Sequence, residues 1–293
     1  MTPGELIRAG QLVAFPTETV YGLGANALDA AAVEKIFEAK GRPKTSPLIV
    51  HVASIEAARN LSRGWSATAE ALAQRFWPGP LTLVVRKSPA IPDIVTAGLD
   101  SVGIRIPNHP VALELLRDAA VPIAAPSANR FTELSPTTAE HVRQSFGDQF
   151  PILDGGPCEV GIESTVFDVD HLKILRPGMV TREQIEQVVG PVGVGGETAS
   201  ASPGQHPKHY QPRTRVILTA NPAPLSAYLW HSHECVSARS LRMPSNAANY
   251  AALLYSTLHD LDQEHFDCIV IEPPPELPEW EGIRDRLARA TAT

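Results

Sequence analysis

Cysteine is scarce. Cys158, Cys235 and Cys268 are the only three in 293 residues, odd in number, far apart and without a C-x-x-C pair. That excludes a disulfide framework and a zinc knuckle, and points to a reducing compartment. Long apolar runs are also missing, since no stretch approaches the ~20 apolar residues that a membrane helix needs. The opening segment from Met1 to Val13 has one cation and scattered apolar residues, which does not suit a signal peptide. The chain is therefore read as soluble and cytoplasmic, with no membrane association. Positive charge is in deficit: 25 Lys and Arg against 32 Asp and Glu give a net charge of −7. Proteins that grip nucleic acid through its phosphates carry a basic face. The balance thus speaks against nucleic acid as a tightly held ligand. Aromatics make up 6% of the chain and form no stacking pattern, which counts against an RNA-binding module. The Walker A spacing G-x-x-x-x-G-K-[ST] is absent as well.

What is present is a core. At 43% apolar residues the chain can bury a sizeable interior, and its length favours two domains. Strands are expected at Leu12 to Phe15, Leu48 to Val52, Leu81 to Val85, Val102 to Ile106, Ile123 to Ala125 and Ser164 to Val169. Helices are expected at Ala31 to Ala39, Ala67 to Phe76, Pro110 to Ala119 and Thr137 to Phe146. Thr181 with Gln184 fits a capping box opening a helix to Val189. This mixture argues an α/β (α+β) domain over 1–190 with one main sheet. Gly190 to Gly204 is small and polar, so 191–214 reads as a linker. Strand, helix, strand, helix follow at Val216 to Leu218, Asn246 to Leu261, Cys268 to Glu272 and Trp280 to Ala290. Residues 215–293 are thus expected to form a small second α/β domain.

Three clusters carry polar chemistry. Pro16 to Gly24 follows a strand, with hydroxyls on Thr17, Thr19 and Tyr21 and with Gly22 and Gly24, which would let backbone pass close to a ligand. The alternative is a plain strand-to-helix turn. Lys40-Gly41-Arg42-Pro43-Lys44-Thr45-Ser46 packs three cations into five residues, the density a triphosphate needs. The alternative is a solvated helix end. Ala125-Pro126-Ser127-Ala128-Asn129 follows a short strand, at the kind of strand end where ligands bind in α/β sheets; an N-cap is the alternative. His51 lies inside a strand, where a lone histidine is most often core. Arg105 lies among apolar strand residues and needs an anionic partner, either a substrate carboxylate or a structural Asp or Glu. His231, His233 and Cys235 have no fourth ligand at metal-site spacing.

Taken together, FPTETVYGLG (Phe15 to Gly24), KGRP with PLIVHV (Lys40 to Val52), WPGPLTLV (Trp77 to Val84), VGIRIPNHP (Val102 to Pro110), APSAN (Ala125 to Asn129), STVFD (Ser164 to Asp168) and ILRPG (Ile174 to Gly178) resemble the YrdC-like family. The likeness is to its two-domain threonylcarbamoyl-AMP synthases. SPGQHPKHYQP (Ser202 to Pro212) is similar to their interdomain linker, and the tail looks like their C-terminal domain, with the stretch between Leu218 and Asn246 shortened. The resemblance implies a twisted mixed-sheet catalytic domain and a smaller Rossmann-like domain. It implies synthesis of L-threonylcarbamoyl-AMP from L-threonine, bicarbonate or CO2, and ATP, with Mg2+ riding on the ATP phosphates. The product would pass to a separate tRNA threonylcarbamoyl transferase. Lys40 and Arg42 would bind phosphates and stabilise departing pyrophosphate, with Ser46 helping. Ser127, Asn129 and Arg176 would hold the nucleotide. Thr17, His51, Arg105 and Ser164 would form the threonine pocket, with Arg105 on the carboxylate. Tyr210, with His209, would lie over the site as a lid.

Overall fold

The computed structural model describes residues 1–195 and 210–292. Most of the stretch read as linker and lid, including His209, lies outside the described residues; Tyr210 lies within them. The larger sheet is built from β1 (Val13–Phe15), β2 (Gly22–Asn26), β3 (Ile49–His51), β4 (Leu81–Arg86), β5 (Ser101–Arg105), β6 (Ile123–Ala124), β7 (Thr165–Asp168), β8 (Lys173–Arg176) and β9 (Gly193–Val194). Their spatial order is β1-β2-β6-β3-β5-β4-β7-β8-β9, with parallel and antiparallel neighbours mixed. All six strands expected from apolar runs are in it. β9 carries the sheet past Gly190, into the stretch read as linker.

The helices form where sequence and caps agree. α1 (Pro3–Arg8) opens the chain, and α2 (Ala30–Lys40) starts on the Asp29 carboxylate, which accepts from the N–H groups of Ala31 and Ala32. It stops at Gly41, whose φ of 62° closes the last turn. That stop releases Arg42 from the helix and sends its side chain inward. α3 (Ile55–Asn60), α4 (Ala67–Phe76), α5 (Asp93–Thr96), α6 (Pro110–Ala119) and α7 (Ala139–Phe146) follow. α8 (Arg182–Val189) has the Thr181–Gln184 capping box expected of it.

The FPTETVYGLG stretch departs from the strand-to-helix reading, because Gly22 onward is strand β2. The two glycines there make room for protein. A Cβ on Gly24 would stand 2.8 Å from both Ile123 Cγ2 and Phe15 Cε1.

The C-terminal part holds a four-stranded parallel sheet of β10 (Val216–Leu218), β11 (Ala227–Trp230), β12 (Arg239–Arg242) and β13 (Ile269–Ile271), ordered β10-β13-β11-β12. α9 (Ala247–Asp262) and α10 (Glu281–Ala290) complete it. The stretch between Leu218 and Asn246 supplies β11 and β12, one an inner strand and one an edge. β12 reads Arg-Ser-Leu-Arg and is largely exposed, so no apolar run marks it in the sequence.

The two parts share one core. Val20, Leu134 and Ile162 from the first domain are buried with Tyr250, Leu254, Trp280 and Ile283 from the second. Backbone approach is close where they meet. A Cβ on Gly161 (φ 76°) would lie 2.3 Å from the Ala251 carbonyl oxygen, and one on Gly282 would lie 2.9 Å from Gly178 Cα.

Candidate active site

A cleft opens where β2, β3, β5 and the segments after β6 and before β7 come side by side. Eight residues singled out in the sequence line it: Thr17, Arg42, His51, Arg105, Ser127, Ser164, Arg176 and Tyr210. The sheet register explains much of this. His51 stands opposite Arg105 in the parallel β3–β5 pair, and Ser127 bridges to Gly22. Residues far apart in sequence are thus brought side by side by the strand order.

Arg42 is buried, with Nη2 donating to the Pro47 carbonyl at 3.2 Å and the guanidinium 5.8 Å from the Phe131 ring centre. Burial, with Tyr210 opposing and Arg176 adding to it, brings its pKa down to about 10, so it stays a cation at neutral pH. Its Nε has no hydrogen-bond partner among the described residues. Arg176 donates through Nε and Nη2 to the Ser164 carbonyl at 3.1 and 3.0 Å and through Nη2 to Ser164 Oγ at 3.3 Å. Ser164 Oγ also meets Thr82 Oγ1 at 2.8 Å. A lone hydroxyl in the apolar strand run Leu-Thr-Leu-Val-Val was the signal that could have found Thr82.

His51 is buried and edge-on to Phe15, with 6.0 Å between ring centres. Burial, reinforced by Arg105, drives its pKa to about 3, so the ring is neutral. Its Nδ1 is unpartnered among the described residues.

Arg105 meets a carboxylate from the protein itself. Its Nη2 lies 2.6 Å from Glu18 Oε2, both side chains being buried, and Glu18 Oε2 also accepts from the Asn108 N–H at 3.0 Å. Arg105 further donates to the Gly79 carbonyl and to Thr19 Oγ1. Of the two partners considered for this arginine, the structural acid is the one present. Glu18 carries no signal of its own among the hydroxyls around it; the lone strand arginine is the pointer to it. The Thr17 hydroxyl donates to the Val20 carbonyl at 2.7 Å, so at the 2.8 Å contact between them the proton comes from Thr19.

Three predicted residues are not among those lining the cleft. Lys40 is buried, and its Nζ donates to the carbonyls of Ser127 (2.6 Å) and Asn129. Burial, aided by Arg42, pulls its pKa well down. Asn129 Nδ2 donates to the carbonyls of Arg130 and Glu133, while its Oδ1 has no partner among the described residues. Ser46 sits in the Pro43–Ser46 turn, half-buried. Tyr21, counted among the substrate hydroxyls, faces elsewhere: its OH donates to the Gly156 carbonyl at 2.8 Å and accepts from the Gly155 N–H.

Glu163 is the one acid among the described residues lining the cleft, and no role was assigned to it from the sequence. Arg286 Nε donates to its Oε2 at 2.7 Å, Tyr255 OH to the same oxygen at 3.2 Å, and Ser135 Oγ to Oε1. Tyr210 is buried, stacked on Tyr255 at 5.9 Å and 5.4 Å from the Arg286 guanidinium. His231 and His233 belong to a different cluster. The backbone N–H groups of His231 and Ser232 and the ring of His233 surround the buried Glu272 carboxylate, and Cys235 contacts the Ala220 carbonyl. Burial opposes these bonds, yet they hold Glu272 down to about 2.

Comparison with known proteins gives one answer along the whole chain. A family model described as "Telomere recombination", covering the Sua5, YciO and YrdC proteins, matches residues 5–178. One described as the C-terminal domain of threonylcarbamoyl-AMP synthase matches residues 180–292. The threonylcarbamoyl-AMP synthase of Pyrococcus abyssi is 50% identical over 74% of this chain and 66% of its own length. That of Bacillus subtilis is 40% identical over 97% of this chain and 90% of its own. The crystal structure of P. abyssi Sua5 complexed with L-threonine superposes with a TM-score of 0.92 at 39% identity, covering 98% of this chain and 92% of that one. The chain belongs to the Sua5/YciO/YrdC family, in the two-domain form of the threonylcarbamoyl-AMP synthases.

Proposed function

We propose that this protein joins L-threonine, bicarbonate or CO2, and ATP into L-threonylcarbamoyl-AMP and releases pyrophosphate. The observation that carries the reading is the cleft's set of unmet polar groups. Arg42 Nε and His51 Nδ1 are buried there without partners among the described residues. Buried polar atoms in native proteins are nearly all paired, so these two await a polar ligand. The chain's own relatives carry the synthase name, and one was crystallised with L-threonine.

The chemistry asks for positioning and charge neutralisation more than for a nucleophile. The threonine amine adds to CO2 and loses a proton, giving a carbamate. A carbamate oxygen attacks the ATP α-phosphorus, and the bond to the β-phosphate oxygen breaks as pyrophosphate leaves. Arg42 and Arg176 line one cleft and supply cations for that developing charge. Lys40 contributes by holding the Ser127–Asn129 backbone, and Ser127 with Asn129 faces the nucleotide. His51, neutral and with Nδ1 unpartnered among the described residues, and Ser164 serve the threonine. Arg105, already paired with Glu18, offers the substrate carboxylate a guanidinium whose position is fixed in advance. Among the described residues no group of three or more His, Cys, Asp or Glu could hold a metal ion, and Glu163 is engaged by three donors. The donor set suits phosphate oxygens. Mg2+ would ride on the ATP phosphates and offset their charge.

The product is a mixed anhydride, labile to water, so a tRNA threonylcarbamoyl transferase must consume it promptly. Tyr210 closes one wall of the cleft and helps to exclude water. No helix among the described residues is long and apolar enough to cross a membrane, and the cytoplasm is the proposed site of action. The deciding assay is pyrophosphate release from MgATP with and without L-threonine and bicarbonate. Release requiring both establishes the synthase. Release without threonine, or none from folded protein, overturns it.

A further inference from the structure

One charge from the C-terminal domain reaches the cleft. Arg286 lies on α10, and its side chain is fully buried. Besides the Glu163 carboxylate it binds backbone on both sides of the site. Nη2 donates to the Glu163 carbonyl at 3.1 Å, next in chain to Ser164. Nη1 donates to the Pro177 carbonyl at 3.0 Å, next in chain to Arg176. Nη1 also meets Asp285 Oδ2 at 2.6 Å. The helix can come this near because Gly282, one turn earlier, packs directly on Gly178.

Glu163 is exposed to a conflict that the mechanism does not use. It is an acid in the wall of a cleft that must accept a polyanion. Every charge around it bears on the outcome: Arg286 and Asp285 from α10 and Arg176 from β8, with the hydroxyls of Tyr210, Tyr255 and Ser135 close by. Burial alone pushes its carboxyl up, but Arg286 first, then Arg176 and the hydrogen bonds, bring it below the usual range. It is therefore an anion, held back by the second domain.

We propose that Arg286 is a positioning residue for the ATP site: it keeps the Glu163 carboxylate turned away from the bound phosphates and fixes the backbone beside Ser164 and Arg176. The inference rests on the synthase reading, because it takes a nucleotide triphosphate as the cleft's ligand. It assigns the C-terminal domain a part in nucleotide affinity, through one ion pair.

The test measures MgATP binding by calorimetry alongside turnover, across pH 6 to 8.5, on the full chain. Wild type that binds no ATP would sink the synthase reading. With wild-type binding in hand, Arg286→Met is expected to raise the Kd and KM for ATP by about tenfold or more, because an uncompensated buried charge faces the ligand. kcat at saturating ATP should change much less. The loss should shrink as pH falls, since Glu163 without its cation takes up a proton more readily. Arg286→Met combined with Glu163→Gln should restore most of the affinity, and Arg286→Lys should be intermediate. A purely structural arginine would lower Tm yet leave ATP affinity of the folded protein, and its pH dependence, unchanged; that result overturns the proposal. Should Arg286→Met fail to fold, Tyr255→Phe removes one Glu163 donor at low cost. A Kd raised by about two- to threefold supports the proposal, and a wild-type Kd overturns it.

Discussion

Single side chains in the cleft divide into those that await a ligand and those already satisfied. Arg42 belongs to the first group, with Nε unpartnered among the described residues. Arg42→Ala should cut pyrophosphate release by more than about a hundredfold, as removal of a charge-stabilising donor does. The Tm should move little, since the Arg42 side chain makes one hydrogen bond among the described residues, to the Pro47 carbonyl. A far-ultraviolet spectrum and a melting curve beside the rate check both halves. Arg105 is already ion-paired with Glu18 before any substrate arrives. Arg105→Ala would strand the buried Glu18 carboxylate, and breaking such a pair costs about 3–5 kcal/mol. Lost activity in that variant would report unfolding as much as threonine binding. Arg105→Met with Glu18→Gln should recover stability in urea titration but not threonine affinity. Lost threonine affinity in a stable double variant would then speak for a contact between Arg105 and the substrate.

At the level of elements, two histidines mark where α7 meets α9. His141 and His259 stack with ring centres 3.9 Å apart, and His259 Nε2 faces the Ser135 carbonyl at 3.2 Å. Burial, and for His259 also the neighbouring ring, takes both to about 4. The sign follows from linkage. Below the unfolded value of ~6.5 the unfolded chain takes up protons that the folded chain refuses, so stability is complete above ~6.5 and falls as pH drops toward about 4. Each ring contributes at most about 1.4 kcal/mol per pH unit over that range. Denaturant midpoints at pH 5 and 7.5 should therefore differ, and His259→Gln should reduce the difference. The Gly178–Gly282 contact makes a second test. Gly282→Ala places a methyl 2.9 Å from backbone, which cannot swing aside, at a cost of about 1–3 kcal/mol. The docking of α10 should loosen, with trypsin cutting the C-terminal domain sooner and ATP affinity falling with it.

For the whole molecule, the second domain is part of the first domain's interior. Val20, Leu134 and Ile162 are buried only together with side chains from α9, α10 and the segment between β13 and α10. Ending the chain at Gly190 should leave a folded domain, because the main core of the large sheet is separate. That fragment would lose β9, Tyr210 and Arg286, and would expose an apolar surface. Its pyrophosphate release should drop by well over about tenfold, and it should bind a hydrophobic dye. Full-rate turnover by the fragment would show that the cleft needs nothing from the C-terminal half.

Local signals were enough for six strands and five helices of the first domain, while β2, β9, α1, α3 and α5 are not among the elements expected from them. Apolar runs such as Leu-Thr-Leu-Val-Val, the Thr181–Gln184 box and the composition change after Gly190 each report a nearby physical demand, on burial, on helix ends or on chain flexibility. Eight of the predicted site residues came to one cleft: Thr17, His51, Arg105, Ser127, Ser164 and Arg176 lie at or beside strand ends, Arg42 follows the end of α2, and Tyr210 comes from the segment before β10. What stayed hidden depends on partners remote in sequence. β12 has no apolar run because an edge strand need not be buried on both faces. The spacing of Gly22 and Gly24 does not show that strand β2 packs on Phe15 and Ile123. Glu18 is an unremarkable acid until the fold sets it against Arg105, and Glu163 until Arg286 arrives from the other domain. The sequence by itself determined most of the elements, the family and most of the polar inventory. Which charge neutralises which was decided only by the tertiary structure, because ion pairing is set by distance and burial in space and not by order along the chain.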